Sequence, residues 1–192
     1  FLTQTDLLGN LGLWAGPEEP ASRHFLELQA LREEKADIDA VTLTTSDGTL
    51  RLVKEFAMVE PAPDDTVHTG PYEDRETWEW RLEDGGGETL GMAVKTKADA
   101  VLNSASNLRA QDVADPGADL ATYGLAPPQR TVTLTHADGT ETSIRFGTER
   151  EAAGDAPAGF HVQVADDPTV WVLGTFNASN IFKTRDDLLP EE

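Results

Sequence analysis

Two apolar periods alternate along the chain. From Ile38 the period is two: Ile38, Val41 and Leu43 lead into Ser46-Asp47-Gly48, and Leu50 and Leu52 resume the alternation beyond it. Asp-Gly between alternating runs predicts a hairpin, because a tight turn needs positive φ, which Gly adopts cheaply and Asp tolerates. Thr77 to Leu82 predicts a further strand with Trp78, Trp80 and Leu82 on one face, and Gly85-Gly86-Gly87 turns it back toward Thr89 to Val94. Helical spacing marks two stretches: Phe25, Leu28 and Leu31 predict a short amphipathic helix over 23–35, and Ala98, Val101, Leu102, Ala105 and Leu108 predict a longer one over 96–110. Thr96 with Asp99 three residues on reads as a capping-box-like start to the second.

Beyond this helix Pro116-Gly117 and Tyr123-Gly124 are stop signals, with one further turn expected over Ala118 to Tyr123, and Pro127-Pro128 impose an extended exit. The two-residue period then returns. Val132 and Leu134 point inward, Asp138-Gly139 turns, and Ile144 and Phe146 come back to the same face, ending at Gly147. Phe160, Val162 and Val164 alternate with His161 and Gln163, and Val170 to Leu173 is apolar on both faces, as a central strand would be. Phe176 to Leu189 predicts a closing helix or pair of turns.

The two hairpins repeat each other. Ala40 to Thr49 reads AVTLTTSDGT, and Thr131 to Thr140, 91 positions on, reads TVTLTHADGT. The expected fold is therefore α+β, as two tandem units of three to four antiparallel strands followed by a helix, packed together. The boundaries are a loosely ordered leading segment at 1–24, a first unit at 25–110, a hinge at 111–130 and a second unit at 131–192. An irregular loop rich in Pro and Asp is expected over 59–75.

Charge narrows the partners. A net charge of -20, from 35 acidic against 15 basic residues, argues against nucleic acid and against direct binding to anionic lipid, since both are polyanions. With no Cys there is no disulfide framework, thiolate nucleophile or Cys-based metal site. Leu7 to Ala15 is too short to span a bilayer, and Phe1 suggests a fragment or processed form, so an anchor preceding it is compatible with the sequence.

The residues from Trp80 and Leu82, through Asn107-Leu108-Arg109-Ala110 and Asp119-Leu120-Ala121, to Tyr123-Gly124-Leu125 and Pro128 form a specific series. It continues in VTLTHADGT, Gly147 and Pro168 to Leu173. This series resembles the bacterial family catalogued as domain of unknown function 4340. The resemblance implies an extracytoplasmic domain, periplasmic or at the cell surface, tethered to the membrane by a segment absent from this chain, and a neighbour of ABC-type transporters. It implies no reaction.

Candidate chemistry is sparse. His24, His68, His136 and His161 are scattered, and Asp64-Asp65, Asp166-Asp167 and Asp186-Asp187 read as turn formers and helix starts rather than a calcium loop. No nucleophile elbow, phosphate loop or zinc-protease helix is present in the sequence, so no catalytic residue, metal ligand or cofactor is assigned. The binding candidates are aromatic. Trp78 and Trp80 form either core or an exposed platform, and Trp14 is a candidate exposed contact. The expectation is a non-enzymatic extracytoplasmic binding or scaffolding module, an accessory of an ABC-transporter-type membrane complex. The alternatives are a glycan- or peptide-binding cell-surface protein and a hydrolase using carboxylates from distant loops.

Overall fold

The matching decapeptides lie side by side. In the computed structural model, which describes residues 27–56, 78–114 and 118–191, the first decapeptide falls in β2 (Ile38–Thr45) and its turn into β3 (Gly48–Phe56). The second falls in β8 (Arg130–His136) and its turn into β9 (Glu141–Arg150). β2 and β8 pair antiparallel, with Val41 opposite Leu134, Thr42 opposite Thr133 and Leu43 opposite Val132. Both turns use glycine at positive φ, Gly48 at 132° and Gly139 at 83°.

One nine-stranded sheet grows outward from this pair. On one side follow β3, β4 (Trp78–Asp84) and β5 (Thr89–Met92); on the other follow β9, β10 (Gly159–Val164), β11 (Trp171–Leu173) and β7 (Asp112–Val113). All pairings are antiparallel, so the architecture is α+β. Val170 to Leu173 was expected in a central strand; β11 is instead next to the edge strand β7, and it is apolar on both faces because both faces are covered there.

The registers explain the alternation. Leu50, Leu43, Val132, Ile144 and Val164 follow one another across five strands on one face. Between them Thr49, Thr44, Thr131, Arg145 and Gln163 cross on the other. The apolar face is roofed by α1 (Lys95–Ser106), α2 (Thr175–Ile181) and α3 (Arg185–Leu188). α1 contributes Ala98, Val101, Leu102 and Ala105 to this core, and α2 and α3 add Ala178, Ile181 and Leu188. Burying each Leu, Ile or Val contributes about 1.5–3 kcal/mol.

Three expectations are corrected. The stretch read as a helix over 23–35 contains, within the described residues, the strand β1 (Gln29–Arg32) and a 3-10 turn at Lys35–Asp37. β1 pairs with β6 (Asn107–Arg109), a segment read as the last turns of the long helix. The helix ends at Ser106, and Leu108 is buried from a strand. Its N-cap is Val94 with no side-chain bond, so Thr96 and Asp99 do not form the capping box. A capping box does occur at Thr184, which exchanges bonds with Asp187.

The hinge residues make a second, smaller core on the opposite face. Asp119 caps a 3-10 turn at Leu120–Tyr123 that stops at Gly124, φ 66°. Tyr123 and Leu125 pack there with Ala114, Val170 and Val172. The Ala126–Pro127 peptide bond is cis. Tyr123 of this turn stacks on His161 on the outward side of β10, Gln163 is buried there with bonds to Arg145 and the Asp167 carbonyl, and β9 runs past Gly147 to Arg150. The leading segment, the 59–75 loop and Pro116-Gly117 lie outside the described residues.

Candidate functional site

β4 sends Trp78 and Trp80 toward the first turns of α1, where Asp99 receives both. Its Oδ1 accepts from Trp80 Nε1 at 2.8 Å and from Trp78 Nε1 at 3.1 Å, and its Oδ2 lies 3.3 Å from Lys95 Nζ. Lys95 also donates to the Trp78 carbonyl at 2.7 Å. From β3 comes Lys54, whose ammonium stands 4.2 Å from the Trp78 ring centre and 5.9 Å from that of Trp80, and donates to the Lys35 carbonyl. Two indoles, two ammonium groups and one carboxylate thus satisfy one another. Trp80 is fully buried and Trp78 half-buried, so only Trp78 retains surface. Trp14 lies outside the described residues.

Desolvation dominates Lys54. Burial pulls its amine down from 10.5 to about 8, against the opposing pull of Asp39, Asp99 and Asp37 and with a small contribution from Lys95. Between those values the unfolded chain binds more protons at this site than the folded one, so stability at this site rises with pH. Stability from this group is therefore greatest above 10.5 and is lost as pH falls through about 8. We expect wild type to gain stability relative to Lys54→Met as pH is raised from 8 to 10.5, read as the difference between their urea unfolding free energies. A constant difference would mean that the amine is not desolvated.

The other end of β4 opens into a groove of about 780 Å³. The β2–β3 tip (Thr45 to Thr49), the turn after β4 (Asp84, Gly85) and the link between α2 and α3 (Phe182 to Thr184) enclose it. Leu43, Leu50, Leu90 and Phe182 give it an apolar floor, and Arg130, Lys183 and Arg185 stand around it. Arg130 is held in place by aromatic faces, its guanidinium carbon 5.2 Å from the Phe182 ring centre and 5.4 Å from that of Phe160. Among the described residues no carboxylate is within 4 Å of any of these three cations. The two acids of the lining are Asp84 and Asp47. Asp84 accepts from the Gly86 and Glu88 amides at 2.8 Å each, and Asp47 accepts from Ser46 Oγ at 3.2 Å. No local pattern along the chain marks this groove, because its lining comes from positions 43 to 185.

Two histidines find partners. His136 Nε2 is 3.4 Å from both Thr142 Oγ1 and Glu33 Oε2, while Thr142 donates directly to Glu33 Oε1 at 2.7 Å. A hydrolytic relay needs the acid on one ring nitrogen and the hydroxyl on the other. Here one nitrogen faces both, and the trio clips the exit of β1 to the β8–β9 hairpin. His161 Nδ1 donates to the Thr148 carbonyl at 3.0 Å, and its ring lies 4.6 Å from that of Tyr123. Burial pushes it below the ordinary imidazole range, the Thr148 bond opposes this, and the charge of Arg150 adds to it, so the ring is neutral at pH 7. Among the described residues no group of three His, Asp or Glu is placed to hold a metal ion, and no helix is long and apolar enough to cross a membrane.

A family model described as Domain of unknown function (DUF4340) matches residues 80–190, more than half of the 192. The chain belongs to the DUF4340 family. No curated protein and no solved structure matches it. The matched stretch runs from Trp80 through the hinge and the second hairpin to the end of α3. Most of the groove's framework, from Asp84 to Arg185, is therefore part of the DUF4340 domain, whereas Leu43 to Leu50 precede the match.

Proposed function

We propose that this DUF4340 protein is a non-enzymatic extracytoplasmic binding or scaffolding module, an accessory of an ABC-transporter-type membrane complex, and that the groove at the hairpin tips is its working surface. The observation that carries the binding role is the groove itself: an open apolar floor with Arg130, Lys183 and Arg185 around it, none of them in an ion pair within 4 Å among the described residues, although Asp187 feels the charge of Lys183. Its volume is in the range of small-ligand sites. The extracytoplasmic and transporter parts of the proposal rest on the family resemblance.

The chain order supports reading the molecule as a duplicated unit. β2 to β5 lead to α1, and β8 to β11 lead to α2, with the two series fanning outward from the β2–β8 pair. Such a sheet offers tips and edges for contact while its core stays closed.

The test is purification of the tagged full-length protein from membranes, beside a Lys183→Gln/Arg185→Gln variant. Recovery of an identified transporter component with wild type, and less of it with the variant, is expected. Recovery with cytosolic enzymes alone, or equal recovery with both proteins, would contradict the reading.

A further inference from the structure

We propose that Asp47 is a site of spontaneous backbone modification: the Gly48 amide nitrogen closes on the Asp47 side-chain carboxyl, and the chain reopens there as an isoaspartyl link. The reaction is independent of what the groove binds.

The step balances within the chain and one water. A bond forms between the Gly48 nitrogen and Asp47 Cγ, the amide proton leaves with the carboxyl hydroxyl as water, and a five-membered succinimide results. Water then adds to one of its two carbonyls. Opening at Cγ restores aspartate, whereas opening at the main-chain carbonyl carries the backbone through Cγ and frees the α-carboxylate. Nothing is oxidised or reduced.

Glycine after aspartate favours closure, because no Cβ obstructs the approach of its nitrogen. The sequence holds three such pairs, Asp47-Gly48, Asp84-Gly85 and Asp138-Gly139. The fold separates them. Asp84 Oδ1 accepts from the Gly86 and Glu88 amides at 2.8 Å each, and a Cβ on Gly85 would stand 2.9 Å from Thr49 Cβ, so both reacting partners are held. Asp138 Oδ1 accepts from the Thr140 hydroxyl at 2.6 Å and from its amide at 2.9 Å. These bonds hold the Asp138 carboxyl below the ordinary carboxylate range, so less of it carries the proton that lets its oxygen leave as water.

Asp47 lacks such restraint. Among the described residues, the bond to its carboxylate comes from the adjacent Ser46 Oγ, at 3.2 Å. Ser46, Asp47 and Gly48 are all exposed, and nothing lies within 4 Å of the place a Gly48 Cβ would take. To reach the next nitrogen, Asp47 gives up one side-chain contact, whereas Asp84 and Asp138 each release two bonds; that difference corresponds to about tenfold in rate. The product adds one backbone carbon to a turn that has only Ser46 and Asp47 between the paired Thr45 and Gly48, on the rim of the groove.

The experiment ages the full chain in neutral buffer at physiological temperature, beside a sample in guanidinium chloride. Trypsin places the three pairs on separate peptides, 36–51, 82–95 and 131–145. Isoaspartate in each is read by altered retention at unchanged mass, and by methyl transfer from S-adenosylmethionine with a protein isoaspartate methyltransferase. In the folded chain it should accumulate at Asp47 about tenfold faster than at Asp84 or Asp138, and in denaturant the three rates should converge. Thr140→Val removes the hydroxyl bond and should raise the rate at Asp138 severalfold while leaving Asp47 unchanged; unfolding beside wild type verifies that the variant is folded. Equal rates at the three sites of the folded chain, or a faster rate at Asp84 or Asp138, would overturn the assignment. So would the same order of rates in denaturant, since local sequence would then set it. Isoaspartate in denaturant with none in the folded chain would also overturn it, because the hairpin would then protect Asp47 as well.

Discussion

Gly147→Ala is expected to destabilise the protein by about 3–5 kcal/mol, a large part of the stability of an ordinary domain. A Cβ on Gly147 would stand 1.9 Å from the Tyr123 carbonyl oxygen and 3.0 Å from the Tyr123 and Gly124 carbonyl carbons. Those are backbone atoms, so no rotamer change relieves the clash. Either β9 leaves the sheet or the 3-10 turn leaves β9, and in both cases the second core of Tyr123, Leu125 and Val172 opens. Gly124 faces the same contact from the other side: its added Cβ would meet Thr148 Cγ2 at 2.8 Å. Gly139→Ala is the control. That residue has positive φ but nothing within 4 Å, so its cost is conformational alone, about 1 kcal/mol. Urea unfolding of the two variants beside wild type gives the comparison. Similar costs would mean that the turn does not press on β9.

The second large effect belongs to Trp80. Truncation to alanine removes the largest fully buried side chain among the described residues and leaves a cavity between β4 and α1, at about 3–5 kcal/mol. Asp99→Ala separates packing from polarity, because it keeps the ring but deprives two indole N–H groups of their acceptor. Trp80 has no exposure to water, so its donor would remain unpaired; the expected cost is about 2 kcal/mol, and Asp99→Asn should recover part of it. Thermal or urea unfolding reports all three. A Trp80→Ala protein as stable as wild type would return the tryptophan pair to the role of a surface platform.

The hairpins were legible because two local signals agreed at each: a two-residue apolar period and an Asp-Gly turn, at Asp47-Gly48 and again at Asp138-Gly139. The stop at Tyr123-Gly124 was legible for the same kind of reason, since a left-handed residue after a short turn is a local need that glycine meets. What failed depended on distant partners. Leu31 and Leu108 fit helical spacing, yet they sit opposite each other in the β1–β6 pair, a contact between segments more than seventy residues apart. His161 and Gln163 alternate with valines as a half-exposed strand should, yet both are buried, His161 under Tyr123 of the hinge turn and Gln163 among its bonds to Arg145 and the Asp167 carbonyl.

The binding candidates divide along the same line. Two tryptophans spaced for one strand face were visible, but their acceptor Asp99 looked like a helix cap, and nothing local marked Lys54 as the cation over their rings. The groove had no signature at all. Its cations are single residues at three places in the chain, ordinary in any one of them, and they gain meaning only when β8 begins beside the β2–β3 tip and the α2–α3 link closes over it. The pointer to a working surface is the open apolar depression that these distant segments enclose together.

Photo-crosslinking from the groove tests that surface most directly. A photoreactive phenylalanine analogue placed at Ser46, exposed on the groove's rim, is compared in membranes of the producing cell with the same group at Asp155, exposed on the β9–β10 loop and outside the groove lining. Crosslinks from Ser46 to an identified transporter component, with none from Asp155, are the expected result. Crosslinks to that component from Asp155 alone would place the contact elsewhere and contradict the account.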